Sequence, residues 1–227
     1  MREIVLDTET TGLDPEEGHR LVEVAGIELI NHLPTKVTFR RYINPEREMT
    51  EEAERVHGLS DAFLADKPRF AEIADDFLAF VGSAKLVIHN AAFDMKFLNW
   101  ELKNAGKQTL PLSQATDTLE IARRKFPGAQ ASLDALCRRF GIDNSARTYH
   151  GALLDCELLA EVYLELVGGR QPEFLLAAER AAGATKDKAQ SLSPRQVRPP
   201  RAHGPTDEEI QAHEAMLKTL KEPIWRR

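Results

Sequence analysis

The order in which two apolar periodicities follow one another constrains this chain more than any other feature of its sequence. Residues 2–7 (REIVLD) are polar at the start and apolar in the middle, which predicts a short buried strand. Leu21–Ile30 and about Lys36–Tyr42 alternate imperfectly and predict two more strands. The period then becomes that of a helix. A short one is expected over Thr50–Val56 with Thr50 as N-cap, and a clearer one over Ala71–Val81, where Ile73, Phe77, Leu78 and Val81 recur at helical spacing. Lys85–His89 (KLVIH) predicts a further buried strand. Helical patterns then cover about Ala92–Asn104, Thr116–Phe126, Ser132–Phe140 and Gly151–Val167. Strands first, then strands alternating with helices, indicate an α/β domain with a mixed sheet.

After Val167 the character changes. Gly168 and Gly169 end the last helical pattern, and Gln171–Ala182 is only semi-apolar. Residues 183–205 are rich in Pro, Ser, Arg, Lys and Gln, a composition that cannot offset its ordering entropy by burial and is expected to act as a flexible tether. Thr206 and Glu209 then form a capping-box signature that opens a new helix. Ile210, His213, Leu217 and Leu220 fall on one face of it, with Met216 beside them, and Pro223 stops it before Ile224 and Trp225. Large apolar residues beyond a tether, with no core nearby, suit an anchor for a partner. The expected plan is a catalytic domain over 1–168, a tether over 169–205 and a docking tail over 206–227.

Composition narrows the function classes. With 42% hydrophobic and 29% charged residues, the 227-residue chain has an ordinary globular balance. No apolar run approaches the roughly 20 residues of a membrane span. The start, MREIVLDTET, lacks the parts of a signal peptide, so a cytoplasmic protein without a membrane partner is expected. Cys137 and Cys156 are far apart and outside any CxxC spacing, which favours small buried hydrophobes over a disulfide or a zinc site. A net charge of −6 is not the footprint of a protein that wraps duplex DNA. It is compatible with an enzyme that grips a few nucleotides at a strand end, where bound cations supply the positive charge.

Three segments carry chemistry. Asp7 and Glu9 stand at i and i+2 at the end of the first strand, so both side chains leave the same face, roughly 7 Å apart along the chain. Carboxylates so placed repel unless a cation sits between them, and hard divalent ions prefer oxygen ligands; solvated acids beside a turn are the alternative. In VIHNAAFD (87–94), a buried strand delivers His89 and Asn90 to the sheet edge where α/β ligands bind, and Asp94 follows in the first turns of a helix. An acid there also suits the helix dipole, so a purely structural role stays open. In HGALLD (150–155), a continuous helix would point His150 and Asp155 about 140° apart. Sharing one site therefore requires His150 to stand on the preceding loop, and a capping His with a surface Asp is the other reading. Together the segments offer carboxylates enough for two divalent ions and a histidine base, a set suited to phosphodiester hydrolysis.

DTETTG, HNAAFD and HGALLD in this order resemble the DEDDh exonuclease superfamily. Within it the chain is similar to the family of epsilon proofreading subunits of bacterial DNA polymerase III, through VHGLSDAFLADKPRFAEIADDF, SLDALCRRFGIDNSARTYHGALLD and the tail TDEEIQAHEAMLKTL. The resemblance implies a ribonuclease-H-like mixed sheet flanked by helices and 3′→5′ removal of mispaired nucleotides from DNA. It implies that Asp7, Glu9, Asp94 and Asp155 hold two divalent ions, Mg²⁺ or Mn²⁺, with His150 as general base. Glu52 and His57 match positions that contact the terminal nucleotide, and Thr8, His89 and Asn90 line the same pocket beside Asp7, Glu9 and Asp155. The implied partners are single-stranded or frayed DNA 3′ ends, the polymerase alpha subunit through the tail, and the sliding clamp through residues 171–176, a loose version of the family's clamp motif. The tether departs from the family in being rich in Pro and Arg and lacking a glutamine tract. Two other readings are a DEDDh exoribonuclease acting on short RNA or transfer-RNA ends, and a catalytically silent scaffold.

Overall fold

The computed structural model describes residues 1–145, 149–168 and 204–219. The chain divides into two compact units, Met1–Gly183 and Ala184–Arg227.

The first unit is built on a five-stranded mixed sheet. Its strands are β1 (Arg2–Thr10), β2 (Leu21–Ile30), β3 (Leu33–Tyr42), β4 (Lys85–Ile88) and β5 (Ala115–Asp117), in the order β3-β2-β1-β4-β5. β1 is central because Ile4, Val5 and Leu6 are fully buried on both of its faces. It pairs antiparallel with β2 over its whole length, but parallel with β4 only from Glu3–Lys85 to Val5–Val87. Beyond Val5 it therefore outruns its parallel neighbour, and the edge it leaves there is where the site forms. β2 and β3 are joined at Asn31 and His32, both left-handed at φ 52° and 66°, the backbone that suits a two-residue hairpin turn.

Helices cover both faces: α1 (Glu51–His57), α2 (Asp61–Leu64), α3 (Phe70–Val81), α4 (Ala91–Asn104), α5 (Thr118–Lys125), α6 (Leu133–Phe140) and α7 (Ala152–Leu166). On one face Ile4, Leu6 and Val24 pack with Phe70, Phe77, Phe97 and Leu98 of α3 and α4. On the other, Val5, Ala25, Ile27 and Leu29 pack with Cys156, Leu159 and Val162 of α7. Burying each such large side chain stabilises the fold by about 1.5–3 kcal/mol. Cys137 and Cys156 are buried and form no disulfide, as their spacing suggested.

Several boundaries differ from the sequence reading. β1 runs on to Thr10, so Asp7 and Glu9 lie inside the strand and not at its end. β3 begins at Leu33, β4 stops before His89, and the short helix α2 carried no expectation. The pattern over Thr116–Phe126 is not one helix. Ala115–Asp117 pairs with β4 as β5, and α5 starts only at Thr118, capped by the Asp117 side chain.

In the second unit, α8 (Asp207–Thr219) has the expected capping box: Glu209 N donates to Thr206 Oγ1 at 3.3 Å and Thr206 N donates to Glu209 Oε2 at 2.9 Å. Ile210 and Met216 are exposed and Leu217 is buried. Leu220, Pro223, Ile224, Trp225 and the clamp segment 171–176 lie outside the described residues. Among the described residues, no helix is long and apolar enough to cross a membrane.

Candidate active site

Alternation along β1 sends neighbouring side chains to opposite faces. Asp7 and Glu9 share the α7 face with Val5, whereas Thr8 shares the α4 face with Ile4 and Leu6. The uncovered edge of β1 past Val5 lets the two sets meet around one cleft. It has a volume of about 180 Å³ and is lined by Asp7, Thr8, Glu9, His89, Asn90, Phe93, Asp94, Leu133, His150 and Asp155.

Asp155 reaches the cleft from the fourth position of α7, and Asp94 from the fourth position of α4. Asp7, Glu9 and Asp155 each bring a carboxylate oxygen to within 4.8 Å of the other two. Three acids gathered at that spacing suit a hard divalent cation, whose oxygen ligands lie about 2.0–2.6 Å from the ion. Asp94 stands outside that group. It is buried and accepts a hydrogen bond from Thr8 Oγ1 at 2.7 Å. Burial pushes its carboxyl up to about 7, against the Thr8 bond, which pulls it down.

His150 stands on the loop before α7, whose N-cap is Gly151, as a shared site required. Its backbone N–H donates to Val56 O of α1 at 3.0 Å, and its Nδ1 lies 3.5 Å from Asp155 Oδ2. The ring is 48% exposed, so solvent reaches it. Tyr149, the preceding residue, lies against Gly58, where a Cβ would meet the ring at 3.2 Å. Gly58 also has φ 72°, so the turn of VHGL needs glycine for both backbone and space. Gly12 of DTETTG is required by space alone, because the His19 ring occupies the position of its Cβ.

Beside the acidic cleft is a second cavity of about 280 Å³, and the two share Thr8, Glu9 and Phe93 as a common wall. Glu52 and His57 line it, with Leu13 and Val56. His57 is buried, its Nδ1 accepts from Leu59 N at 3.0 Å, and burial pushes its pKa down. Thr50 Oγ1 caps α1 and donates to Thr11 O at 3.1 Å, tying this helix to the DTETTG strand. His89 Nδ1 and Thr118 Oγ1 are 2.9 Å apart, and Asn90 is left-handed at φ 69°. Asp117 Oδ1 accepts Asn90 N and Leu119 N, and its Oδ2 accepts Ala91 N, so one carboxylate caps the starts of α4 and α5.

All ten sequence-derived residues thus border these two cavities, eight in the acidic cleft and Glu52 and His57 in its neighbour. Phe93 packs against the core and also forms the wall between the cavities. Leu13, 82% exposed directly after the DTETTG glycine, was not singled out, although an apolar residue in a polar turn was a usable signal.

Residues 4–163 match the family described as Exonuclease. The chain is 50% identical to the DNA polymerase III subunit epsilon of Rickettsia felis, covering 97% of each chain. It is 45% identical to that of Escherichia coli (strain K12), covering 99% of this chain and 97% of the relative. Among solved structures, it is similar to exonuclease X in complex with 5′ overhanging duplex DNA, with TM-score 0.58 and 27% identity over 72% of this chain and 90% of that one. The nuclease domain of 3′hExo, a DEDDh family member bound to rAMP, shares the fold at TM-score 0.63 and 20% identity over 73% of this chain and 91% of that one.

Proposed function

Because this chain belongs to the exonuclease family, and within it to the DNA polymerase III epsilon subunits, we propose that its cleft removes mispaired nucleotides from DNA 3′ ends for a replicative polymerase. The observation that carries the reading is the convergence of Asp7, Glu9 and Asp155 oxygens within 4.8 Å, with His150 beside them.

Divalent ions are part of this family's chemistry, and the oxygen-only donor set fits Mg²⁺ or Mn²⁺. Asp7, Glu9 and Asp155 would hold them, with Asp94 completing the set. When bound, two such ions stabilise charge on the attacking and leaving oxygens of an in-line displacement at phosphorus. The protein's own part is to orient and to move a proton. His150, half-exposed on its loop, takes a proton from the attacking water. Asp155 Oδ2 at 3.5 Å orients the imidazole and balances the charge it gains. The terminal nucleotide occupies the neighbouring cavity against Phe93, with Glu52 and His57 contacting it, and the scissile phosphate lies at the wall the cavities share. Thr8, His89 and Asn90 shape that wall and its floor.

Residues 206–227 anchor the chain to the polymerase catalytic subunit, 169–205 tether it, and 171–176 add a weak sliding-clamp contact. The protein works in the cytoplasm, at the replisome. The test is to offer the full chain 3′-labelled single-stranded DNA and RNA with Mg²⁺ or Mn²⁺, and to co-elute it with the catalytic subunit. Degradation of DNA in preference to RNA, and co-elution lost on truncation after Gly204, are expected. A preference for RNA would favour the exoribonuclease reading, inertness the scaffold reading, and co-elution of the truncated chain would move the docking site to the first unit.

A further inference from the structure

α7 carries Asp155 and follows directly on His150, yet it has no cap of its own. Its N-cap is Gly151, which has no side chain to accept the first helical N–H groups. The acceptor comes from across the sheet. Glu23, in β2, is 1% exposed, and its Oε2 accepts Ala152 N at 3.4 Å. In the β1–β2 register Glu23 lies directly opposite Glu9. Two such carboxylates would repel as cross-strand neighbours. The charge of Glu23 is instead directed elsewhere: Arg40 Nε of β3 donates to its Oε1 at 2.7 Å, and the Arg40 guanidinium lies 4.8 Å from the Tyr42 ring. Glu23 is thus a buried acid beside the metal-type cluster but matched to a fixed cation and a helix N-terminus.

We propose that Glu23 is the positioning residue of this site, seating the first turn of α7 so that Asp155 and His150 meet Asp7 and Glu9. Arg40 is its counter-ion. It acts through the helix and does not touch the substrate. The proposal rests on the nuclease reading above and adds to it a residue that no acid motif contains.

The decisive variant replaces the pair with apolar residues of similar volume, Glu23→Met with Arg40→Met, which removes the buried carboxylate together with its part-exposed counter-ion and so leaves no unpaired charge. The full-length chain should keep its unfolding temperature. It should lose about 10–100-fold in kcat, with KM for a labelled DNA 3′ end unchanged, and weaken Mn²⁺ binding by a similar factor, as loss of an outer support does. Mn²⁺ binding is read by electron paramagnetic resonance without substrate. Glu23→Gln, which keeps an acceptor for Ala152 N, should recover most of the rate. Ala152→Pro guards against a paired variant that does not fold. It removes the donated N–H at a first helical position where proline fits, after a Gly151 whose ψ of 125° suits the residue before proline, and adds ring carbons where Ala152 is buried. It should show the same kcat and Mn²⁺ losses. Wild-type kcat and Mn²⁺ affinity in whichever of these two variants folds, or Glu23→Gln as impaired as they are, overturns the proposal. An unmodified chain that is itself inert would instead overturn the nuclease reading.

Discussion

The starts of α4 and α7 are the same device used twice with different results. Each helix brings an aspartate to the cleft from its fourth position, Asp94 and Asp155. Neither N-cap residue, Asn90 or Gly151, makes a side-chain cap, and each helix takes a carboxylate from a neighbouring strand, Asp117 for α4 and Glu23 for α7. What differs is the group facing each aspartate. Asp94 meets a hydroxyl, Thr8 Oγ1, in a buried corner that pushes its carboxyl up to about 7. Asp155, equally buried, meets an imidazole and two further carboxylates. Position in the helix decides that an acid arrives; the facing strand or loop decides what it can do.

Breaking the α7 corner should have the largest effects. Asp155→Ala, like Asp7→Ala or Glu9→Ala, should leave a folded protein that loses about 10³-fold or more in single-turnover rate, since charge stabilisation worth several kcal/mol goes with the ligand. More than a tenth of the rate remaining would separate the acid from the chemistry. His150→Gln comes next, at about 10²-fold or somewhat beyond. Its rate should no longer fall on the acid side as the unmodified rate should; an unchanged pH profile would make His150 structural. On the α4 corner, Asp117→Ala should cost about 2 kcal/mol of stability, since it caps two helices and one cap is typically worth about 1, seen as a lower urea midpoint with an unchanged slope. The smallest effect should come from Asp94→Asn in metal-free protein, and it should be a gain. Because burial pushes the folded carboxyl up to about 7 from its ordinary 3.8, the native state takes up the proton first as pH falls. The wild type thus carries the full cost of ionising Asp94 above pH 7 and sheds it as pH drops towards 3.8. Asp94→Asn should raise Tm by about 2–4 °C for each kcal/mol relieved at pH 8, with the difference shrinking on acidification. No difference at pH 8 would mean that Asp94 is already solvated.

What the sequence revealed, and what it hid, follows the range of the interactions. Strands β1, β2 and β4 and the helices α3, α4 and α7 are long or strongly patterned, so their periodicity is visible locally. β5 is three residues long and pairs only with β4, so Ala115–Asp117 merges with the helix it precedes. The acids were legible because their spacing within a motif is a local property, and the loop position of His150 followed from the turn per residue of a helix. Glu23 and Asp117 could not be found in this way. Glu23 looks like one polar residue in an alternating strand, and its role depends on Ala152, 129 positions away.

The central place of β1 has a consequence for a chain still being made. Asp7 and Glu9 leave the ribosome well before the third acid of their group, which lies in α7. Until α7 is synthesised and docks across β1 and β2, Val5, Ala25 and Leu29 lack Cys156, Leu159 and Val162 on that face and the cleft is missing a wall. Synthesis proceeds at about 5–20 residues per second, so this interval lasts roughly 10–30 s. A nascent chain is therefore unable to cut throughout it, and hydrolytic competence arrives in one step with the helix that completes the core.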